Sequence, residues 1–141
     1  MTEHQMMQMT ERAVLRFNAH DVEGYLEMYD RSVVFHGYSR QRPGIAGLRD
    51  YYSKLFKSFP DIRLSIDDMF AFENKLVFRF TIYGTHKAEY VGAAPSNKLV
   101  IAPGVVIHHF KGDKVNETWQ LADNYKFMMQ IGAIEQPALK R

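Results

Sequence analysis

At Pro60 the hydrophobic period of this 141-residue chain changes from helical to alternating, and that switch constrains the fold more than any other feature. Before it, Met6, Met9, Ala13 and Phe17 recur at three- and four-residue steps, which predicts an amphipathic helix over residues 2–19. Asn18-Ala19-His20-Asp21 reads as a stop and a new cap, with a short second helix running on to residue 29. Val33-Val34-Phe35-His36 suits a short strand. Pro43-Gly44 opens a third helix whose Ile45, Leu48, Tyr52, Leu55, Phe56 and Phe59 share one face, and Pro60 ends it. Beyond Pro60, residues 63–72, 75–84, 99–110 and 114–125 alternate as four strands, with a shorter one at Glu89-Tyr90-Val91. Glu73-Asn74 and Gly112-Asp113 supply tight hairpin turns.

Helices first and a meander of long strands afterwards predict an α+β fold. The expected architecture is a cone: a curved antiparallel sheet closed by three N-terminal helices around an internal pocket, as one domain over residues 1–141. Leu76, Phe78, Phe80 and Ile82 give one strand a wholly apolar inner face. Its other face, with Val77, Arg79, Thr81 and Tyr83, suits an interface between copies, so a homodimer or homotetramer through the open sheet face is expected.

Composition narrows the chemistry. The chain is 46% hydrophobic and 13% aromatic, enough for a sizeable core, and it has no cysteine. Thiolate metal sites and a cysteine nucleophile are therefore excluded. Eighteen basic residues against sixteen acidic ones, scattered along the chain, give no stripe to meet nucleic-acid phosphates. The polar opening Met1-Thr2-Glu3-His4-Gln5 is no secretory signal, and no apolar run is long enough to span a bilayer. A cytoplasmic protein with no nucleic-acid or membrane partner is the expectation. No phosphate-binding glycine loop, serine elbow or His-Glu-x-x-His run occurs either.

The last strand carries the most chemistry. Strict alternation puts Val115, Glu117, Trp119, Leu121 and Asp123 on the inner side, and Asn116, Thr118, Gln120, Ala122 and Asn124 on the outer side. An inward Asp123 has a carboxyl whose pKa burial raises toward neutrality, which suits general acid/base work. Its simpler role is N-cap of a helix over residues 124–130. Adjacent His108 and His109 point to opposite faces, so they cannot chelate one ion together, and no metal is expected. One of the two shares the inner face. A plain turn at Gly112-Asp113 selects His108 and a bulged one His109, and sequence leaves both open. Glu117, near the hairpin end, reads as solvated or salt-bridged. Tyr38, Tyr52, Phe56, Met69 and Trp119 are candidate walls for a ligand.

Several runs then resemble one family. Phe59-Pro60-Asp61-Ile62, Gly84-Thr85-His86, Pro95-Ser96-Asn97-Lys98, and Lys114-Val115-x-Glu117-x-Trp119 with Asp123 four residues on are similar to the SnoaL-like polyketide cyclases, also called ester cyclases. These belong to the cone-shaped, nuclear-transport-factor-2-like superfamily. The resemblance implies that Asp123 is the general acid/base of an intramolecular aldol ring closure, assisted by a histidine on the preceding strand, with His109 the closer positional match. It implies neither metal nor cofactor, because the substrate's own carbonyls spread the enolate charge. His36 falls where many members carry a histidine, and His86 lies in the Gly-Thr-His element. Gly112-Asp113 inverts the family's usual turn, Ala88 stands where a glycine is common, and Asn97 replaces a glycine. The expected partner is a hydrophobic small molecule bearing carbonyl groups. The alternatives are a protein that holds such a ligand without turnover, or an isomerase or epoxide hydrolase on the same fold.

Overall fold

The structure, a computed structural model, describes residues 1–135. Helix α1 (Glu3–Asn18) begins in a reciprocal cap: the Gln5 amide donates to Thr2 Oγ1 at 3.1 Å and the Thr2 amide to Gln5 Oε1 at 2.8 Å. Its buried stripe is Met6, Thr10, Ala13, Val14 and Phe17. Thr10 is tolerated there because its hydroxyl donates to the Met6 carbonyl one turn back, at 2.9 Å. Asp21 caps the five-residue α2 (Val22–Leu26) through the Gly24 amide. Strand β1 (Tyr29–His36) follows, four residues longer at its start than the sequence suggests, and then α3 (Gly44–Ser58).

Strands β2 (Arg63–Phe72), β3 (Lys75–Thr85), β4 (Leu99–Lys111) and β5 (Lys114–Ala122) form the antiparallel meander. β1 then adds beside β5, and it runs parallel to it. The sheet, in the order β1-β5-β4-β3-β2, is therefore mixed rather than wholly antiparallel. The parallel pair is possible because α3 and the meander intervene between β1 and β5, far more chain than a crossover needs. The sheet is open, with β1 and β2 as edges, and does not close into a barrel. α1 packs over β2 and α3 over β1, so the helices cover one face. Residues 89–91 form no strand; Tyr90 and Ala93 make an isolated bridge. The final helix, α4 (Asn124–Gln130), starts at Asp123.

Three of the family-like runs turn out to be one structural lock. Phe59 is fully buried, and Gly84 lies against it: a β-carbon there would come within 3.2 Å of Phe59 Cβ. Asp61 accepts from both the amide and the hydroxyl of Thr85 at 2.7 Å, tying the turn after α3 to the end of β3. His86 then clasps the 95–98 loop. Its amide donates to the Lys98 carbonyl, its carbonyl accepts from the Asn97 amide, and its Nδ1 accepts from the Ser96 amide at 3.1 Å. Asn97 sits at φ +57°, a conformation asparagine tolerates.

One local irregularity decides which side chains face inward. Phe110 pairs with Val115, but His109 pairs with Glu117, so Asn116 is an extra residue bulged out of β5. Past it the phase inverts. Val115 and Thr118 are buried, Gln120 and Ala122 continue the inner side, and Glu117, Trp119 and Leu121 lie on the outer face. The strict alternation expected for this strand is thus corrected from residue 117 onward. The bulge lies in β5 rather than in the turn, so β4 keeps its own alternation and His108 is the inward histidine, opposite Thr118.

Candidate functional site

A cavity of about 460 Å³ opens at the end of the sheet where β5 runs into α4. α3 contributes Tyr51 and Leu55, the segment after β1 contributes Tyr38, and β3 and β4 contribute Phe80, Ile82 and Ala102. Gln120 and Ala122 come from β5, and Phe127 and Met128 from α4. Asp123 stands at the junction of β5 and α4. Its amide donates to the Pro103 carbonyl at 3.2 Å, and its Oδ1 accepts from the Lys126 amide at 2.9 Å, so it is the cap of α4 as well as a cavity residue. Asp123 is exposed, not buried among core residues as expected; the strand has already ended at Ala122, and the side chain stands at the rim. Among the described residues it is the only carboxylate that lines the cavity.

The deeper interior is filled. The hydroxyls of Tyr29, Tyr25, Tyr52 and Tyr38 follow one another at 3.2, 3.3 and 3.3 Å, leading from the core out to the cavity wall. Gln120 Nε2 reaches the Tyr51 hydroxyl at 3.4 Å, and the Tyr38 and Tyr51 rings meet edge to face. Burial pushes both hydroxyls up, so Tyr38 and Tyr51 stay protonated and can donate to a bound acceptor. A void of only about 20 Å³ remains beneath them, between Tyr25, Tyr52, Phe17 and Phe80. The roomy internal pocket expected of a cone is therefore a cavity at its mouth, because these rings occupy the apex.

The structure brings together few of the residues that sequence points to. Tyr38 and Asp123 line the cavity, and Tyr52 lies just beneath it. Phe56 packs on Phe17 and His20 outside it, and Met69, on β2, contributes to the core. His86 is the buried clasp described above, stacked on Phe59. His108 is buried with Nδ1 2.9 Å from Thr118 Oγ1, its ring enclosed by Tyr29, Phe78 and Phe110. Desolvation pushes its pKa down to about 3, so it is a neutral core residue without a place on the cavity wall. His109, Trp119 and His36 lie away from this cavity, on the outer side of the sheet, since the bulge places Trp119 there. There His36 stacks on Trp119 at 5.1 Å, His109 contacts its ring at 4.6 Å, and Glu117 accepts from or pairs with His36 Nε2 at 2.8 Å. No histidine faces Asp123 across the cavity.

Sequence reasoning missed Tyr51, Gln120, Phe127 and Met128. Gln120 was hidden by the bulge. Phe127 and Ile131, spaced by four and half-buried and buried, were the legible sign that α4 turns an apolar side inward. Among the described residues no three histidine or carboxylate groups converge as metal ligands, and no helix is long and apolar enough to cross a membrane.

An apolar cavity with a few neutral donors and one carboxylate at its rim, at the open end of an α+β fold, is the usual build of a small-molecule site. The model of the SnoaL-like polyketide cyclases matches residues 4–131, and the chain belongs to that family. Solved structures agree in fold. AclR of Streptomyces galilaeus, provisionally assigned as a hydroxylase, superposes with a TM-score of 0.85 at 22% identity, over 94% of this chain and 99% of that one. TsrD of Streptomyces laurentii gives 0.86 at 19%, over 95% and 99%. A SnoaL-like polyketide cyclase from Agrobacterium tumefaciens gives 0.76 at 21%, over 94% and 100%. No protein of curated function matches the chain.

Proposed function

We propose that the protein catalyses proton transfer on a hydrophobic carbonyl compound without a cofactor, in ring closure of the cyclase type. The observation that carries this reading is Asp123, the one carboxylate on a cavity otherwise lined by apolar and neutral polar groups. Its carboxylate would take a proton from the carbon beside a substrate carbonyl. The enolate carbon then bonds to a second carbonyl carbon of the same molecule, and the alkoxide so formed recovers the proton from Asp123. Tyr38 and Tyr51 are protonated donors on the same wall, suited to the oxygen on which negative charge develops.

Asp123→Asn is the decisive variant, because asparagine caps a helix as well as aspartate and the fold is preserved. Exchange of the protons beside the carbonyl of an apolar aryl ketone, followed by NMR in deuterated buffer, should fall by about 100-fold or more. An unchanged rate removes Asp123 from the chemistry. A second reading, a binding protein without turnover, is favoured by the engagement of Oδ1 in the cap. It predicts ketone binding with no exchange above the buffer rate in either form.

A further inference from the structure

The cavity is not isolated. A second groove, of about 470 Å³, lies alongside it and shares Ser39, Tyr51, Tyr90 and Val91 as a common wall. Its character is different. Where the first is lined mainly by apolar side chains, the second carries Arg40, Lys54 and Lys57 against a single carboxylate, Glu89, a net of two positive charges. Lys54 and Lys57 are three residues apart on α3 and so project from one side of it, while Arg40 comes from the segment after β1.

These cations have no carboxylate partners of their own among the described residues. The acids nearby in sequence are already engaged: Asp50 holds Arg42 through two bonds, at 2.8 and 3.0 Å, and Glu23 holds Arg49 at 2.6 Å. Glu89 is turned to the loop, accepting from the Gly92 amide. The neighbouring Arg42 and Arg49 are thus neutralised in pairs, whereas Arg40, Lys54 and Lys57 are left facing the groove. The chain as a whole is nearly neutral, so the patch is a local feature, sized for one small anion rather than a polyanion.

Resting on the reading of the adjoining cavity as a substrate site, we infer that the ligand is an amphiphile whose anionic end group sits among Arg40, Lys54 and Lys57. Its apolar, carbonyl-bearing body passes under the Tyr90–Val91 turn into the cavity at Asp123. The anionic end anchors the molecule away from the reacting carbons, and the like charge of Asp123 is kept apart from it.

Two fluorescent probes of one skeleton test this: anilinonaphthalene sulfonate, which is anionic, and N-phenylnaphthylamine, which is neutral. The cavity's share of each signal is the part abolished by Ala122→Phe, or by Met128→Trp if the first variant does not fold. The triple variant Arg40→Gln, Lys54→Gln, Lys57→Gln changes only exposed side chains. It should weaken the sulfonate about tenfold and leave the neutral probe unchanged, with the sulfonate's advantage shrinking as salt is added. Displacement by decanoate and by decyl phosphate, with decanol as the neutral control, then separates a carboxylate from a phosphate end group. If the neutral probe binds in the cavity and the triple variant leaves the sulfonate unaffected, the inference fails and the substrate reading survives. A sulfonate signal untouched by the cavity-filling variants also overturns it, as does an equal loss of both probes. If neither probe enters the cavity, both readings fall.

Discussion

His108 ties the charge state of one side chain to the stability of the whole fold. Burial holds its pKa at about 3, against an ordinary value of 6.5. Above pH 6.5 neither the folded nor the unfolded chain protonates it. Between 6.5 and about 3 the unfolded chain binds a proton that the folded one refuses, so this contribution is lost steadily as pH falls through that window. The limiting slope is about 1.4 kcal/mol per pH unit. In His108→Gln the amide can still meet Thr118 but does not titrate. Urea unfolding of the two proteins from pH 7 to 4 should give curves that diverge, with the wild type the more acid-sensitive. Parallel curves would mean that His108 is not buried as described. The residue scale also shows why the family-like runs mislead about chemistry. Asp61, Thr85, His86 and Ser96 are polar residues in a recurring pattern, the usual mark of a site, yet here they bond to one another and lock α3, β3 and the 95–98 loop together. Sequence could recognise them but not tell a clasp from a site, since both need polar groups at fixed spacing.

At the scale of the element, strand and helix bounds were legible wherever period alone decides them. β2 and the α4 cap lie where the alternation and Asp123 put them, and β3 and β4 each end one residue later than expected. What period cannot convey is an interruption of itself. The Asn116 bulge exchanges the faces of β5 without altering any residue, and with it the places of Gln120 and Trp119. The turn between the two cavities carries a second feature with no sequence sign. Val91 and Gly92 sit at φ +45° and +83°, closed by Tyr90 and Ala93 bonds of 3.0 and 2.9 Å, the geometry of a turn that favours Asn-Gly. A β-branched residue there is strained. Val91→Asn should therefore stabilise the fold by about 1 kcal/mol, raising Tm by about 3 °C. A lower Tm would show that the exposed valine makes a compensating contact.

At the scale of the molecule, the uncovered face of the sheet carries several large apolar side chains among its polar ones. Phe70 and Phe72 on β2, Ile101 on β4 and Leu121 on β5 are exposed, Leu121 to 75%. Surface of this kind is costly to leave in water, and we propose that it is where two copies meet. Sedimentation of wild type at micromolar concentration should show a dimer or tetramer, and Ile101→Glu with Leu121→Glu should sediment as a monomer. A wild-type monomer refutes the proposal.

The bulge in β5 also determines what light can report. Trp119 is the only tryptophan, and it lies on that outer face between His36 and His109, with the cavity on the opposite side of the sheet. Its emission is accordingly a built-in gauge of association at the back of the sheet. A molecule entering beside Asp123 should pass almost unseen by it. For this protein, a ligand titration that relied on intrinsic fluorescence would be watching the wrong side.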